Sequence, residues 1–194
     1  MNIAIYIYDH AEVLDFSGPF EVLSTAKRMN QLDWNIFFIA ESDRLIEARG
    51  GMLIKPHYHF LNTPHIDLLI VVGGDHTEEL KKNHVIDWIK QTDQETTKTI
   101  SICTGAFLLA EAGLLNNKEV TTHWEDIDTL TQDYPSLNVI ENSRWVDSGK
   151  FITSGGISAG IDMSLYLLST LTSKTITENT AKQMEYRWQQ QSQC

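Results

Sequence analysis

The chain has 194 residues and a mass of 22.1 kDa, enough for one domain with a substantial core and too few for two. Hydrophobic residues make up 42% and charged residues 21%, a balance that excludes a disordered chain. The 26 acidic residues outnumber the 15 basic ones, and the formal net charge of -11 argues against binding to a phosphate backbone.

Apolar segments alternate with helical patterns along the chain. In chain order they predict a strand over 2–8, a helix starting at Pro19, a strand over 34–40, a hairpin over 46–60, a strand over 67–72, a helix over 77–93, a strand over 98–103, a helix over 104–115, an extended segment over 119–124, a hairpin over 139–153, and helices over 158–171 and 175–190. Such alternation is typical of a doubly wound, mostly parallel sheet covered by helices on both faces. No Pro-rich or Gly/Ser-rich linker interrupts residues 1–194, so we predict a single α/β domain.

The apolar runs, the N-terminal sequence and the two cysteines together predict a cytoplasmic protein. The longest apolar runs, 68–72 and 107–110, are far short of the roughly 20 residues that cross a bilayer, so no membrane association is expected. The N-terminus lacks a basic segment and a cleavage site, so no signal peptide is predicted. The two cysteines, Cys103 and Cys194, are not expected to pair, which fits a reducing compartment.

The segment from Ile100 to Phe107 has the pattern small, any, nucleophile, any, Gly, and it leads from an apolar strand into a helix. In a nucleophile elbow the turn is cramped, so the residues two positions from the nucleophile must be small; Ser101 and Gly105 meet that requirement. Cys103 would then lie at a helix N-terminus, where the dipole favours the thiolate. An ordinary buried thiol is the equally open alternative.

Two further turns follow predicted strands. Gly73 and Gly74 would let backbone amides approach a ligand and form an oxyanion site with the Thr104 amide, although a tight turn with positive φ explains them better when they are taken alone. Asp15, ahead of the predicted first helix, either caps that helix or exchanges a proton with Cys103. Ligands of such folds bind beyond the carboxyl ends of the strands, so these turns are expected around one cleft.

Histidines offer a base but no metal site. His123 lies in an extended apolar segment, where it is either a base for the thiol or a hydrogen-bonded structural residue. His57, His59 and His65 lack further ligands at a characteristic spacing, so no metal is predicted.

Five motifs occur in an order known from one superfamily. They are Asp15-Phe16-Ser17-Gly18-Pro19, Val71-Val72-Gly73-Gly74, Ser101-Ile102-Cys103-Thr104-Gly105-Ala106, Thr121-Thr122-His123-Trp124 and 154–162, Ser-Gly-Gly-Ile-Ser-Ala-Gly-Ile-Asp. Together they resemble the ThiJ/PfpI superfamily, whose fold is flavodoxin-like and related to class I glutamine amidotransferases. The resemblance extends to about residue 171. It is strongest to isocyanide (isonitrile) hydratases and to the sensor domains of AraC-type regulators.

The resemblance implies a reaction without metal or organic cofactor, in which water adds to an isonitrile to give an N-substituted formamide. It implies that Cys103 attacks the isonitrile carbon to form a thioimidate, that Asp15 is the acid/base partner and that Thr104 positions or stabilises the intermediate. The pocket residues that it implies are Gly73, Gly74, His123, Trp124 and Ile157. It also implies a small-molecule substrate and a homodimer.

Differences between this sequence and other branches of the superfamily restrict the functions that the resemblance implies. PfpI-type peptidases carry histidine directly after the nucleophile, where this chain has Thr104. The glyoxalase and deglycase branch typically carries glutamate in place of Asp15 and Cys-Ala-Gly in place of Cys-Thr-Gly, so an aldehyde substrate is the second hypothesis. AraC-type regulators continue into a DNA-binding domain. This acidic chain is not expected to be such a regulator by itself. A ligand-binding or redox-sensing module without turnover is the third hypothesis.

Overall fold

Seven strands form the central sheet of the computed structural model, which describes residues 1–192 and so leaves Cys194 outside the described residues. Across the sheet they are β10 (Trp145–Ser148), β11 (Phe151–Ser154), β7 (Lys98–Ile102), β6 (Leu68–Val71), β1 (Asn2–Tyr6), β2 (Asn35–Ala40) and β5 (Tyr58–His59). All neighbouring strands are parallel except β10, which is antiparallel to β11. The predicted mostly parallel sheet is confirmed.

The remaining elements surround this sheet. Two small sheets pair β3 (Ile46–Glu47) with β4 (Leu53–Ile54) and β8 (Glu119–Val120) with β9 (Asn138–Val139). The helices are α1 (Val13–Asn30), α2 (Thr77–Leu80), α3 (Asn83–Glu95), α4 (Gly105–Glu111), α5 (Ile127–Asp133), α6 (Ala159–Leu171) and α7 (Lys174–Gln183), with single 3₁₀ turns at Arg49–Gly51 and Trp124–Asp126. None of the helices within residues 1–192 combines the length and apolar character that crossing a bilayer requires.

Helices cover both faces of the sheet. Side chains alternate between the faces of a strand, and β7 shows where each face packs. Thr99 hydrogen-bonds Asp93 of α3 at 2.7 Å, whereas Ile102 packs against Gly160 of α6 on the opposite face. The central strand β6 is buried at every residue, as expected for a parallel strand covered on both sides. The doubly wound, flavodoxin-like architecture is therefore confirmed.

The first helix begins earlier than its sequence predicts. It starts at Val13, so Pro19 lies inside it and Asp15 belongs to its first turn rather than to a preceding loop. Proline has no N–H to donate to the carbonyl four residues earlier, which is that of Asp15. The prediction followed the preference of proline for the first helical position, and here tertiary packing of the helix overrides that local signal.

Two other helix predictions were too long. The segment 77–93 is divided between α2 and α3 at Lys82, and Glu79 of α2 turns its carboxylate inward to accept a 2.6 Å hydrogen bond from the Tyr6 hydroxyl. Helix α7 ends at Gln183 rather than Gln190, because the following residues leave the helix to contact Asp162. Both predicted hairpins form, but over 46–54 and 145–154 rather than 46–60 and 139–153, with turns at Gly50-Gly51 and at Gly149-Lys150. The remaining segments pair elsewhere: β5 with β2 and β9 with β8.

Candidate active site

Cys103 occupies the sharp turn between β7 and α4. Its φ of 56° lies in the left-handed region, which non-glycine residues rarely adopt and which is typical of nucleophile elbows. Neighbouring backbone packs against this turn: a Cβ added to Gly73 would lie 2.6 Å from the Cys103 Cβ, and one added to Gly105 would lie 2.3 Å from the Val71 carbonyl oxygen. The cramped strand–turn–helix geometry predicted around Cys103 is therefore present.

Replacing Gly105 by alanine is expected to destabilise the protein by about 3 kcal/mol, because the new methyl group meets the β6 backbone rather than a movable side chain. Urea denaturation measures the effect. Gly155→Ala is the matched control, since its nearest neighbour, the Ala159 Cβ, would lie at an ordinary 3.4 Å. Equal stability losses in the two variants would show that the elbow does not require glycine at position 105.

Asp15 is completely buried beside the elbow. One carboxylate oxygen accepts a 3.2 Å hydrogen bond from the Gly73 N–H, and the other accepts a 2.9 Å hydrogen bond from the Ile157 N–H. Burial raises the pKa of Asp15 to about 7, even though hydrogen bonds from Ile157, Cys103 and Gly73 oppose the shift. A carboxyl group with such a pKa can both accept and donate a proton near neutral pH.

The Cys103 thiol is 6% exposed, and its pKa is raised rather than lowered. Burial is the main cause, and the negative charge of Asp15 adds to it, whereas the Thr104 N–H favours the thiolate. The expectation that the helix dipole would favour a thiolate at rest was therefore wrong, because desolvation and the neighbouring carboxylate outweigh the dipole. The resting pair consists of a protonated thiol next to Asp15, and the two groups share at most one negative charge.

Thr104 and the two glycines form a closed set of hydrogen bonds. The Thr104 hydroxyl accepts a 3.0 Å hydrogen bond from the Gly74 N–H and donates a 2.9 Å hydrogen bond to the Gly74 carbonyl oxygen. The Gly73 N–H already donates to Asp15. The predicted oxyanion role of the Gly73 and Gly74 amides is therefore not supported by this geometry. Instead, these groups lock the turn after β6 against the elbow, and the Thr104 N–H faces the sulfur.

His123 reaches the same cleft by way of Gly156. A Cβ added to Gly156 would lie 2.4 Å from the His123 Nδ1 and 3.0 Å from the Cys103 sulfur, so the missing side chain leaves room for both groups. The His123 Nε2 lies 3.4 Å from a carboxylate oxygen of Glu125. Within residues 1–192 no hydrogen bond joins His123 to the thiol, whereas the Cys103 thiol lowers the pKa of Asp15. Asp15 is therefore a better candidate than His123 for the proton-exchanging partner.

A cleft of about 240 Å³ opens in front of Cys103. Of the residues predicted to line the pocket, Gly74, His123 and Ile157 do so, and Gly73 lies behind the elbow. Trp124, which is 76% exposed, lines an adjoining cavity of about 830 Å³ that shares His123, Glu125 and Ile157 with the cleft. The adjoining cavity can therefore hold a substituent of a molecule that reacts at Cys103.

Several titratable residues that line the cleft were not predicted from the sequence. They are Glu12, Arg49, Asp75, His76, Glu125 and Asp126. Arg49 lies on the β3–β4 hairpin, and its N–H donates a 3.0 Å hydrogen bond to the carbonyl oxygen of Ala11, which precedes α1. The Arg49 guanidinium lies 3.3 Å from Glu12. Of these residues, only Glu12 could have been suspected from the sequence, because it lies three residues before Asp15. The sequence around Arg49 does not indicate that its hairpin packs beside the cleft.

The remaining histidines of the sequence hypothesis lie in separate contacts. His57 accepts a 3.0 Å hydrogen bond from the Phe38 N–H, His59 accepts one of 3.4 Å from the Leu61 N–H, and His65 lies 3.3 Å from Asp67. Among residues 1–192 no three His, Cys, Asp or Glu side chains are grouped as metal ligands are.

The DJ-1/PfpI family pattern matches residues 1–170 of the chain. The isonitrile hydratase of Pseudomonas putida is 30% identical over 188 residues, which cover 96% of this chain and 78% of that protein. CdhR, a helix-turn-helix transcriptional regulator of Pseudomonas aeruginosa, is 31% identical over 157 residues, or 81% of this chain and 46% of the regulator. A ThiJ/PfpI family protein from Pseudomonas syringae superposes with a TM-score of 0.87 at 26% identity, over 95% of this chain and 74% of the other.

Proposed function

Because the chain belongs to the DJ-1/PfpI family, we propose that it is a cysteine-dependent isonitrile hydratase, which converts an isonitrile and water into an N-substituted formamide. The observation that carries the proposal is the fully buried Asp15 carboxyl beside the Cys103 elbow, held by the Gly73 and Ile157 N–H groups, with a pKa of about 7 that suits proton transfer in both directions. The similarity to the Pseudomonas putida hydratase, spread over nearly the whole chain, supports this choice of substrate class.

The first half of the proposed reaction forms a covalent bond to sulfur. Asp15 takes the proton of the Cys103 thiol, the sulfur attacks the terminal isonitrile carbon, and Asp15 delivers that proton to the same carbon. The product is a thioimidate, R–N=CH–S–Cys103, which contains every atom of the thiol and the isonitrile. The Thr104 N–H, which faces the sulfur, stabilises the negative charge as it develops there.

The second half releases the product. Asp15 takes a proton from a water molecule that adds to the thioimidate carbon and delivers that proton to the nitrogen. The tetrahedral adduct, R–NH–CH(OH)–S–Cys103, expels the sulfur as its hydroxyl proton returns through Asp15 to the thiolate. The balance is one isonitrile plus one water giving one formamide, with Cys103 and Asp15 restored.

Turnover of cyclohexyl isonitrile in ¹⁸O-labelled water tests this function. We expect catalytic formation of N-cyclohexylformamide that carries the label, because the formyl oxygen comes from solvent. If the wild-type protein is inert while iodoacetamide still alkylates Cys103, the elbow is reactive but the substrate class is wrong. The aldehyde hypothesis would then be tested next.

A ligand-binding module is the second candidate, favoured by the match to a transcriptional regulator. The chain spans about half of that regulator, and binding of an isonitrile without formamide release would support this role. Redox sensing is disfavoured, because sensor cysteines are exposed thiolates and Cys103 is a buried thiol with a raised pKa. The homodimer remains a prediction.

A further inference from the structure

Asp162, in the first turn of α6, is a completely buried carboxylate outside the cleft. It accepts a 2.7 Å hydrogen bond from the Arg144 Nε, and the Arg144 Nη2 lies 2.5 Å from the same oxygen. The Tyr186 hydroxyl and the Gln189 N–H donate to it at 3.1 and 2.9 Å. The proposed reaction uses none of these groups. A buried carboxylate with this many donors fixes the position of whatever carries the donors.

The backbone of Arg144 connects this cluster to the active site. Its carbonyl oxygen accepts a 2.9 Å hydrogen bond from the Gly155 N–H. Two residues later, the Ile157 N–H donates to Asp15 at 2.9 Å. Ile157 has a φ of 57°, a conformation that is strained for a β-branched residue and persists only where the surroundings hold it. The loop 155–157 is therefore held at one end by Arg144, and its other end supports Asp15.

We propose that Arg144 is a positioning residue: its ion pair with Asp162 holds the loop 155–157 so that the Ile157 N–H donates to Asp15. The C-terminal segment 186–192 takes part, because the Arg144 N–H donates to the Ser192 carbonyl oxygen at 2.6 Å and Tyr186 shares Asp162. The interpretation of Asp15 as the acid/base rests on the proposed function, whereas the hydrogen-bond chain does not.

The groups that face Asp15 determine what loss of this support would do. They are the Cys103 thiol at the elbow, Glu12 before α1, Tyr8 after β1, and the N–H groups of Gly73 and Ile157. Among these, the Ile157 N–H makes the largest contribution that lowers the Asp15 pKa. Without it the carboxylate loses a stabilising donor, so ionisation of the Asp15–Cys103 pair should require a higher pH.

The pH dependence of Cys103 alkylation by iodoacetamide measures this ionisation without any isonitrile. Peptide mass spectrometry separates Cys103 from Cys194. We expect the alkylation rate of the wild-type protein to rise as Asp15 ionises, with a midpoint near pH 7, because the ionised carboxylate can accept the thiol proton during alkylation. That midpoint should move up by about one unit in Arg144→Met, the scale of one hydrogen bond to a charged group. Arg144→Lys keeps the charge but not the two-nitrogen contact, and we expect a smaller shift in the same direction.

Lys82→Met is the matched control. Lys82 is a partly buried cation paired with the buried Glu79, so its removal changes the net charge equally but leaves the loop 155–157 intact. Asp162→Asn, which removes the negative charge and one of the two acceptor oxygens, should shift the midpoint in the same direction as Arg144→Met. An unchanged midpoint in folded Arg144→Lys and Asp162→Asn, or an equal shift in Lys82→Met, overturns the proposal. If the protein fails on isonitriles but these shifts appear, the positioning role stands and only the substrate is wrong.

Discussion

Replacing Cys103 by serine is expected to reduce isonitrile turnover by at least about 10³-fold, to the uncatalysed background. Asp15 can assist removal of the thiol proton but cannot generate an alkoxide, because a serine hydroxyl is less acidic than a thiol at the same position. The serine oxygen is also a weaker nucleophile toward the isonitrile carbon. Formamide release, followed by chromatography, measures the loss.

A stability measurement and a second cysteine variant distinguish a loss of catalysis from a loss of folding. Serine is close to cysteine in size, so thermal unfolding of Cys103→Ser should resemble that of the wild type. Cys194→Ser is the matched control for removal of a thiol, and it should retain full turnover. Appreciable turnover by folded Cys103→Ser would contradict covalent catalysis at this position and favour direct attack of water with Asp15 as the base.

The parallel sheet and the elbow were predictable from sequence because both depend on local patterns. Continuous apolar strands such as 68–71 are buried on both faces, and a cramped turn at Cys103 requires the small residues that the sequence places two positions away on either side. Asp15 was recognised by residue type and motif. Its placement in the first turn of α1 was not predicted, since Pro19 gave a strong but misleading signal for where the helix begins.

The electrostatics of the site and its long-range contacts could not be predicted from the sequence. The helix dipole at Cys103 suggested a thiolate, but burial and the neighbouring Asp15 raise the thiol pKa. The size of either effect depends on the fold and cannot be judged from the sequence. Likewise, Arg49 reaches the cleft only because a hairpin docks on residues far away in the chain. The Gly74 amide, a plausible oxyanion donor by sequence, is taken by the Thr104 hydroxyl, a contact between segments 30 residues apart.

Asp15→Asn is expected to lower turnover by about 10²–10⁴-fold, because asparagine can neither accept the thiol proton nor return one. The same substitution should stabilise the protein above neutral pH. Asp15 has a pKa of about 7 in the folded state against an ordinary value of 3.8, so the folded state retains a proton that the unfolded state releases. This contribution to stability is fully present below about pH 4 and is lost as the pH rises to about 7, amounting to about 4 kcal/mol.

Asparagine removes that pH-dependent loss but also removes one hydrogen-bond acceptor, since its single oxygen cannot serve both the Gly73 and Ile157 N–H groups. We therefore expect Asp15→Asn to be less stable than the wild type at pH 4.5 and more stable, by about 2 kcal/mol, at pH 8. Urea denaturation of both proteins at both pH values measures this change in the sign of the stability difference. Asp9→Asn is the control, because Arg44 lowers the pKa of Asp9 and its removal should weaken the protein at pH 8. A stability difference for Asp15→Asn that is the same at both pH values would show that Asp15 ionises normally, and the acid/base role proposed for it would then lose its physical basis.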